Sequence, residues 1–129
     1  MRYPCKFTLP HAGYKWLQWA KAQNAWHPGA DLNQGAGDAD LGNSVVTPCK
    51  SKIIYVSPTP TKANNYNGGY GLFVVLYHPT LELWTKYAHL NNVIDIPQGI
   101  ELREGIQFAT VGKTGTKSPH LHLEMFGKE

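Results

Sequence analysis

Four histidines and one aspartate stand in motifs that could build a metal centre: His27 and Asp31 in "HPGAD", His89 in "YAHL", and His120 and His122 in "PHLHLE". A catalytic zinc takes three protein ligands from His, Asp, Glu or Cys and keeps a fourth position for water. Imidazole nitrogen with one carboxylate oxygen suits zinc better than calcium or magnesium, which prefer all-oxygen shells. On a β-strand, alternation puts His120, His122, Glu124 and Phe126 on one face and Leu121, Leu123 and Met125 on the other. Two histidines on one face can enter one cavity, one to bind metal and one to transfer a proton. The Pro-Gly turn of "HPGAD" lets His27 and Asp31 approach the same ion. From spacing alone, the division of these five residues between ligands and proton carriers stays open.

Each feature also has an ordinary reading. A single histidine in a β protein is more often a hydrogen-bonded or surface residue than a ligand, so the metal reading depends on the two motifs together. His11, in an N-terminal loop, and His78, in the expected turn "YHPT", belong to the ordinary class. Asp38 and Asp40 read as part of a solvated glycine-rich loop. The tryptophans Trp16, Trp19 and Trp84 read as core, with Trp26 set apart because it precedes His27.

The elements that must position these residues are mostly strands. From Gly42 onward, "NSVVTPCKSKIIYV", "YGLFVVLYHPTLELWTKYAHL", "GIELREGIQFATVG" and "PHLHLEMF" are rich in β-branched and aromatic residues and are punctuated by turns. "FVVLY" and "LELWTKYA" flank "HPT" as an antiparallel hairpin, with His89 at its far end. Ser57 to Gly69, with its prolines, asparagines and glycines, predicts an exposed loop able to wall a groove. Tyr14 to Trp26 lacks internal Gly or Pro and predicts a short amphipathic helix with Leu17 and Ala20 inward. The glycine-rich stretch after it predicts an irregular loop.

The 129 residues suit one domain with its own core. No segment approaches the roughly 20 apolar residues of a membrane span, and the N-terminus lacks the apolar core of an export signal. The net charge of +3 favours anionic surfaces in general. The basic residues are scattered, however, so no nucleic-acid partner is expected. Cys5 and Cys49 are too far apart for a C-x-x-C motif, which leaves a disulfide, two buried thiols or unrelated free thiols.

The segments "HPGADL", "GNSVVTP", "GGYGLFVVLYH", "YAHL", "EGIQFATVGKTG" and "PHLHLE" occur in the order and rough spacing of the lysostaphin-like, LytM-type zinc metallopeptidases. The resemblance covers about residues 26 to 126. It implies a single peptidase domain over residues 1–129, with 1–25 a divergent N-terminal segment and 26–126 the catalytic core. The implied fold is a mainly β antiparallel sheet of the duplicated hybrid or barrel-sandwich kind, with few short helices. Its narrow groove would be walled here by Asn64 to Gly69 and Lys113 to Ser118. The resemblance further implies that His27, Asp31 and His122 hold one Zn2+ per chain and that His89 and His120 serve catalysis.

The implied activity is hydrolysis of peptide bonds in bacterial peptidoglycan, by a monomer acting on the cell wall. A phage lysin, a virion component or a trimmed secreted domain would each fit a chain without an export signal. Two rivals stand beside this expectation. A degenerate relative would bind wall or activate an amidase without hydrolysis, but such relatives lose ligands and all five positions are kept here. A biotinyl-type or lipoyl-type carrier module would account for "ELREGIQFATVG" but lacks a Met-Lys-Met signature and leaves the five residues unexplained. The chain departs from the family before "HPGAD", where a Gly-x-Arg element gives way to "YKWLQWAKAQNAW". It also departs at Cys49 and Ser51, where a glycine often follows the "TP" segment.

Overall fold

In a computed structural model, residues 2–3, 17–20, 25–28, 30–32 and 37–127 are described, with side chains for 31–32 and 37–125. In chain order the elements are β1 (Arg2–Tyr3), β2 (Leu17–Ala20), β3 (Ala25–Pro28), β4 (Ala30–Leu32), β5 (Ser44–Val46) and β6 (Ser51–Val56). A single helical turn, α1 (Asn65–Gly68), precedes β7 (Leu72–His78), β8 (Leu83–Val93), β9 (Glu101–Leu102), β10 (Gln107–Val111) and β11 (Leu121–Gly127). The expected mainly β, antiparallel fold is what forms: the main sheet runs β1-β5-β10-β8-β7-β6-β9, with β11 joining β8 to β4. Only the short β1–β5 pair is parallel among the described pairings.

The alternation of apolar residues explains which face each strand buries. In β7, Val74, Leu76 and His78 are buried while Phe73, Val75 and Tyr77 are half-exposed, the period of two that a one-sided strand requires. In β11, Leu121 and Leu123 enter the core with Ile53, Tyr87, Leu90 and Phe108. The Tyr87 and Phe108 rings meet edge to face at 5.1 Å, the arrangement favoured by the ring quadrupoles. Truncating a ring as enclosed as Phe108 to alanine costs about 3–5 kcal/mol.

β8 divides its partners along its length. Leu83 to Ala88 lie between β7 and β11, whereas Leu90 to Val93 pair with β10. His89 sits at the junction with φ of 60°, between a register shift on the β7 side and one on the β10 side. A left-handed histidine is uncommon and persists only where its surroundings hold it. Here the His89 N–H donates to the Tyr70 carbonyl at 2.9 Å, and its own carbonyl accepts from Gly112 N–H at 3.0 Å.

Three expectations need correction. The helix over Tyr14 to Trp26 does not form in the described part: β2 and β3 pair antiparallel, with Trp19 opposite Trp26 in register. Aromatic residues favour a pleated surface, and helix propensity alone is a weak prior against strand pairing. His78 is not in the turn but ends β7, fully buried, with Nδ1 facing Ser51 Oγ at 3.0 Å and Nε2 facing Thr85 Oγ1 at 2.7 Å. Its seat among hydroxyls explains how an imidazole can occupy the core, and the turn falls at Pro79 to Glu82. Asp40 is buried rather than solvated, and its side chain accepts from Asn43, while the exposed Asp38 pairs with Lys113 at 3.9 Å.

The loop from Ser57 to Gly69 is largely exposed, as its composition predicts, but it is not irregular throughout. Asn65, Tyr66 and Asn67 have φ between 50° and 56°, a left-handed turn that asparagine tolerates better than most residues. Asn64 accepts at its side chain from the Thr61 and Asn67 N–H groups. Cys49 forms no disulfide among the described residues, and Cys5 and His11 lie outside them. Among the described residues no helix is long and apolar enough to cross a membrane.

Candidate metal and proton-transfer site

Register brings the two C-terminal motifs together. In the β11–β4 ladder His122 lies opposite Asp31, and in the β11–β8 ladder it lies opposite Ala88, one residue before His89. The Asp31 carboxylate Oδ1 is 2.9 Å from His122 Nδ1 and 3.5 Å from His120 Nε2. The His89 ring centroid is 4.8 Å from that of His120 and 5.9 Å from that of His122. Four of the five expected residues therefore converge on one end of the sheet. The fifth, His27, falls in β3 opposite Gln18, and its side chain lies outside the described residues.

His120 precedes β11 instead of belonging to it, a correction to the strand reading of "HLH". It still turns to the same side as His122, because its Nδ1–H donates to the Ser118 carbonyl at 2.9 Å and leaves Nε2 towards Asp31. His89 is held the same way, with Nδ1–H donating to the Thr114 carbonyl at 2.7 Å. A carbonyl can only accept, so both rings carry a proton on Nδ1 and present Nε2 to the site.

Their electrostatics differ. Burial pulls the His89 pKa down to about 4, outweighing the Thr114 carbonyl, with the two neighbouring histidines adding to the fall. Burial also opposes charge on His120, but the Asp31 carboxylate and the Ser118 carbonyl outweigh it and raise the pKa. His122 behaves likewise: burial lowers its pKa, and Asp31 and Glu124 more than reverse that. A neutral acceptor thus stands beside a histidine that charges more readily.

The two loops expected as walls touch each other. Thr114 Oγ1 accepts from Leu72 N–H at 3.0 Å and donates to the Leu90 carbonyl at 2.8 Å. The approach demands glycine at two points: a Cβ at Gly71 would collide with the Thr114 main chain, and one at Gly115 would lie 2.6 Å from the Gly69 carbonyl oxygen. Thr114 and Tyr70 are site residues that motif reasoning missed. Their only signal was a polar or aromatic side chain set among glycines in "GGYG" and "KTGT".

Among the described residues no group of three or more His, Cys, Asp or Glu is arranged to hold a metal ion. Asp31 and His122 nonetheless offer the chemistry of two ligands. Tetrahedral zinc with bonds near 2.1 Å holds neighbouring donors about 3.4 Å apart, so Asp31 Oδ1 and His122 Nδ1, now 2.9 Å apart, would separate by about 0.5 Å to share it. Every buried side-chain nitrogen or oxygen among the described residues has a partner, so the site is a satisfied polar network.

The chain and its fold have known counterparts. The chain is 26% identical over 119 residues to the murein hydrolase activator NlpD of Escherichia coli strain K12, covering 92% of this chain and 29% of that protein. It therefore spans under a third of the length of that relative. Its fold superposes with a TM-score of 0.63 on a zinc containing peptidase from Vibrio cholerae, at 22% identity, covering 90% of this chain and 34% of the other. The catalytic domain of lysostaphin from Staphylococcus simulans gives a TM-score of 0.54 at 21% identity, covering 74% of this chain and 70% of that domain. Residues 26–129 match the model of peptidase family M23, and the chain belongs to that family.

Proposed function

We propose that the protein is a zinc endopeptidase that hydrolyses peptide bonds in bacterial peptidoglycan, with residues 26–126 as its catalytic core. The observation that carries this reading is the convergence of Asp31, His122, His120 and His89, with Asp31 Oδ1 within 3.5 Å of both C-terminal histidines. Asp31 and His122 would hold the metal, and His27, four residues before Asp31 in the chain, would complete the set. Bound there, zinc polarises the scissile carbonyl and lowers the pKa of a water molecule towards neutrality.

The chain's own residues supply the rest. His89 and His120 present Nε2 from rings fixed through Nδ1, so a proton leaving the nucleophile and a proton reaching the leaving amine have fixed carriers. Whichever ring is protonated can also donate to the developing oxyanion. The loops at Asn64 to Gly69 and Lys113 to Ser118 would flank an extended peptide. An envelope setting follows from the substrate, whether the source is a lysin, a virion component or a secreted precursor.

A second reading is favoured by the name of the curated relatives, which are described as murein hydrolase activators. In that case the domain would bind wall or an amidase without cutting. Mass spectrometry of fragments released from purified peptidoglycan separates the two. New amino termini at stem or bridge peptides support the enzyme, and their absence from a zinc-replete protein that still binds wall supports the activator.

A further inference from the structure

One polar cluster beside the site is not used by the chemistry above. Glu124 Oε1 lies 2.9 Å from His122 Nε2 and accepts from the Tyr70 hydroxyl at 2.9 Å. The Lys86 ammonium stands 3.4 Å from the centre of the Tyr70 ring and 4.5 Å from that of Phe73. Lys86 also lies directly opposite Glu124 in the β8–β11 ladder. These contacts set one Glu124 oxygen between the imidazole and the phenol, with a cation on the same sheet face.

The geometry fixes which ring nitrogen of His122 does what. Its two nitrogens face two carboxylates, Asp31 at Nδ1 and Glu124 at Nε2. A neutral imidazole has one proton to give, and the better-organised acceptor keeps it. Glu124 is half-buried and tied down by Tyr70, whereas the Asp31 side chain is 45% exposed. Tyr70 is also the residue whose main-chain carbonyl accepts from His89 N–H at 2.9 Å. One wall residue therefore braces both histidine-bearing strands, through its backbone on one side and its phenol on the other.

We infer that Tyr70 and Glu124 are positioning residues: Glu124, held by the Tyr70 hydroxyl, keeps the His122 proton on Nε2 and so leaves Nδ1 as the nitrogen turned to Asp31 for metal. This rests on the reading of His122 as a zinc ligand. A carboxylate on the far nitrogen of a ligating histidine fixes its tautomer and raises its basicity, and removing such a partner typically costs 10–100-fold in metal affinity.

The test pairs zinc affinity, by chelator competition, with the side-chain nitrogen resonances of His122 in zinc-stripped protein at about pH 9, where free imidazole is neutral. Tyr70→Phe and Glu124→Ala should each weaken zinc binding, on the order of 10-fold for the first and up to about 100-fold for the second. Glu124→Gln, which keeps an acceptor oxygen, should recover part of the loss. Tyr70→Phe in the Glu124→Ala background should add nothing, since the hydroxyl then has no carboxylate to hold. In the spectra, the wild-type proton should sit on Nε2 and shift towards Nδ1 in Glu124→Ala.

Zinc affinity within twofold of wild type in both single variants, with the proton unmoved, would overturn the inference. Should wild-type protein take up no zinc, the metal reading fails on its own. The resonances then decide the inference: an Nε2 proton that depends on Glu124 supports it, and one that does not refutes it.

Discussion

The His89 ring donates its Nδ1–H to the carbonyl oxygen of Thr114 at 2.7 Å, so the Lys113 to Ser118 loop, proposed to flank the substrate, also orients a histidine proposed to carry the proton. The same threonine closes the wall through its hydroxyl, which bridges Leu72 N–H and the Leu90 carbonyl. Thr114→Val removes that bridge and leaves both main-chain groups short of a partner, at a cost of about 1–3 kcal/mol. Thr114→Ser, which keeps the hydroxyl, should lose much less. Urea denaturation of the two variants reads the difference, and a loss in Thr114→Ser, which lacks only the methyl group, as large as that in Thr114→Val would contradict the role given to the hydroxyl.

Gly71 tests the contact between the loops from the other side. Its φ of 67° already disfavours a side chain, and an added Cβ would run into the Thr114 main chain. Gly99 has a comparable φ of 83° but open space around the same position. Gly99→Ala should therefore cost only the conformational penalty of about 1–2 kcal/mol, and Gly71→Ala more. Turnover should fall in Gly71→Ala alone, because only that substitution displaces the carbonyl that holds His89.

His78 predicts a pH dependence of stability away from the site. Burial lowers its pKa against the pull of the Lys50 carbonyl, so the folded state holds it neutral. The unfolded chain, with a pKa near 6.5, binds the proton first as pH falls. The stability gained from neutral His78 is thus complete above about pH 6.5 and is lost as pH drops towards the lowered folded value. The His78 ring resonances should titrate at lower pH in folded protein than in the urea-unfolded chain. In His78→Gln the fall in urea midpoint between neutral and mildly acidic pH should be shallower, and an unchanged slope would contradict this account.

Much of the architecture was legible because strands declare themselves by composition and period. "FVVLY" alternates as its burial requires, whereas in "LHLEM" Leu121, His122 and Leu123 are all buried, and "HLH" placed His122 on the face of Glu124. Local rules failed where tertiary pairing decides. Tyr14 to Trp26 has no breaker, yet its described residues lie in the paired strands β2 and β3, where aromatic side chains suit a pleated surface. Nothing in "YAHL" announces a left-handed His89: the conformation is imposed by Tyr70 and Gly112, neighbours remote in sequence. Asp40 and His78 were read as loop and turn residues because a buried polar side chain looks, in sequence, the same as an exposed one. Glu124 was visible as sharing the His122 face, but the Tyr70 hydroxyl that holds it comes from a glycine-flanked position with no motif of its own.

The division of labour among the histidines and Asp31 is the central claim, and zinc content measured beside wall hydrolysis in one set of variants tests it most directly. His89→Ala and His120→Ala should keep one zinc per chain while losing turnover by at least about 100-fold, the usual contribution of a positioned proton carrier. Asp31→Ala and His122→Ala should lose zinc and activity together. Zinc lost equally from all four variants, or activity surviving in His89→Ala and His120→Ala, would contradict the account.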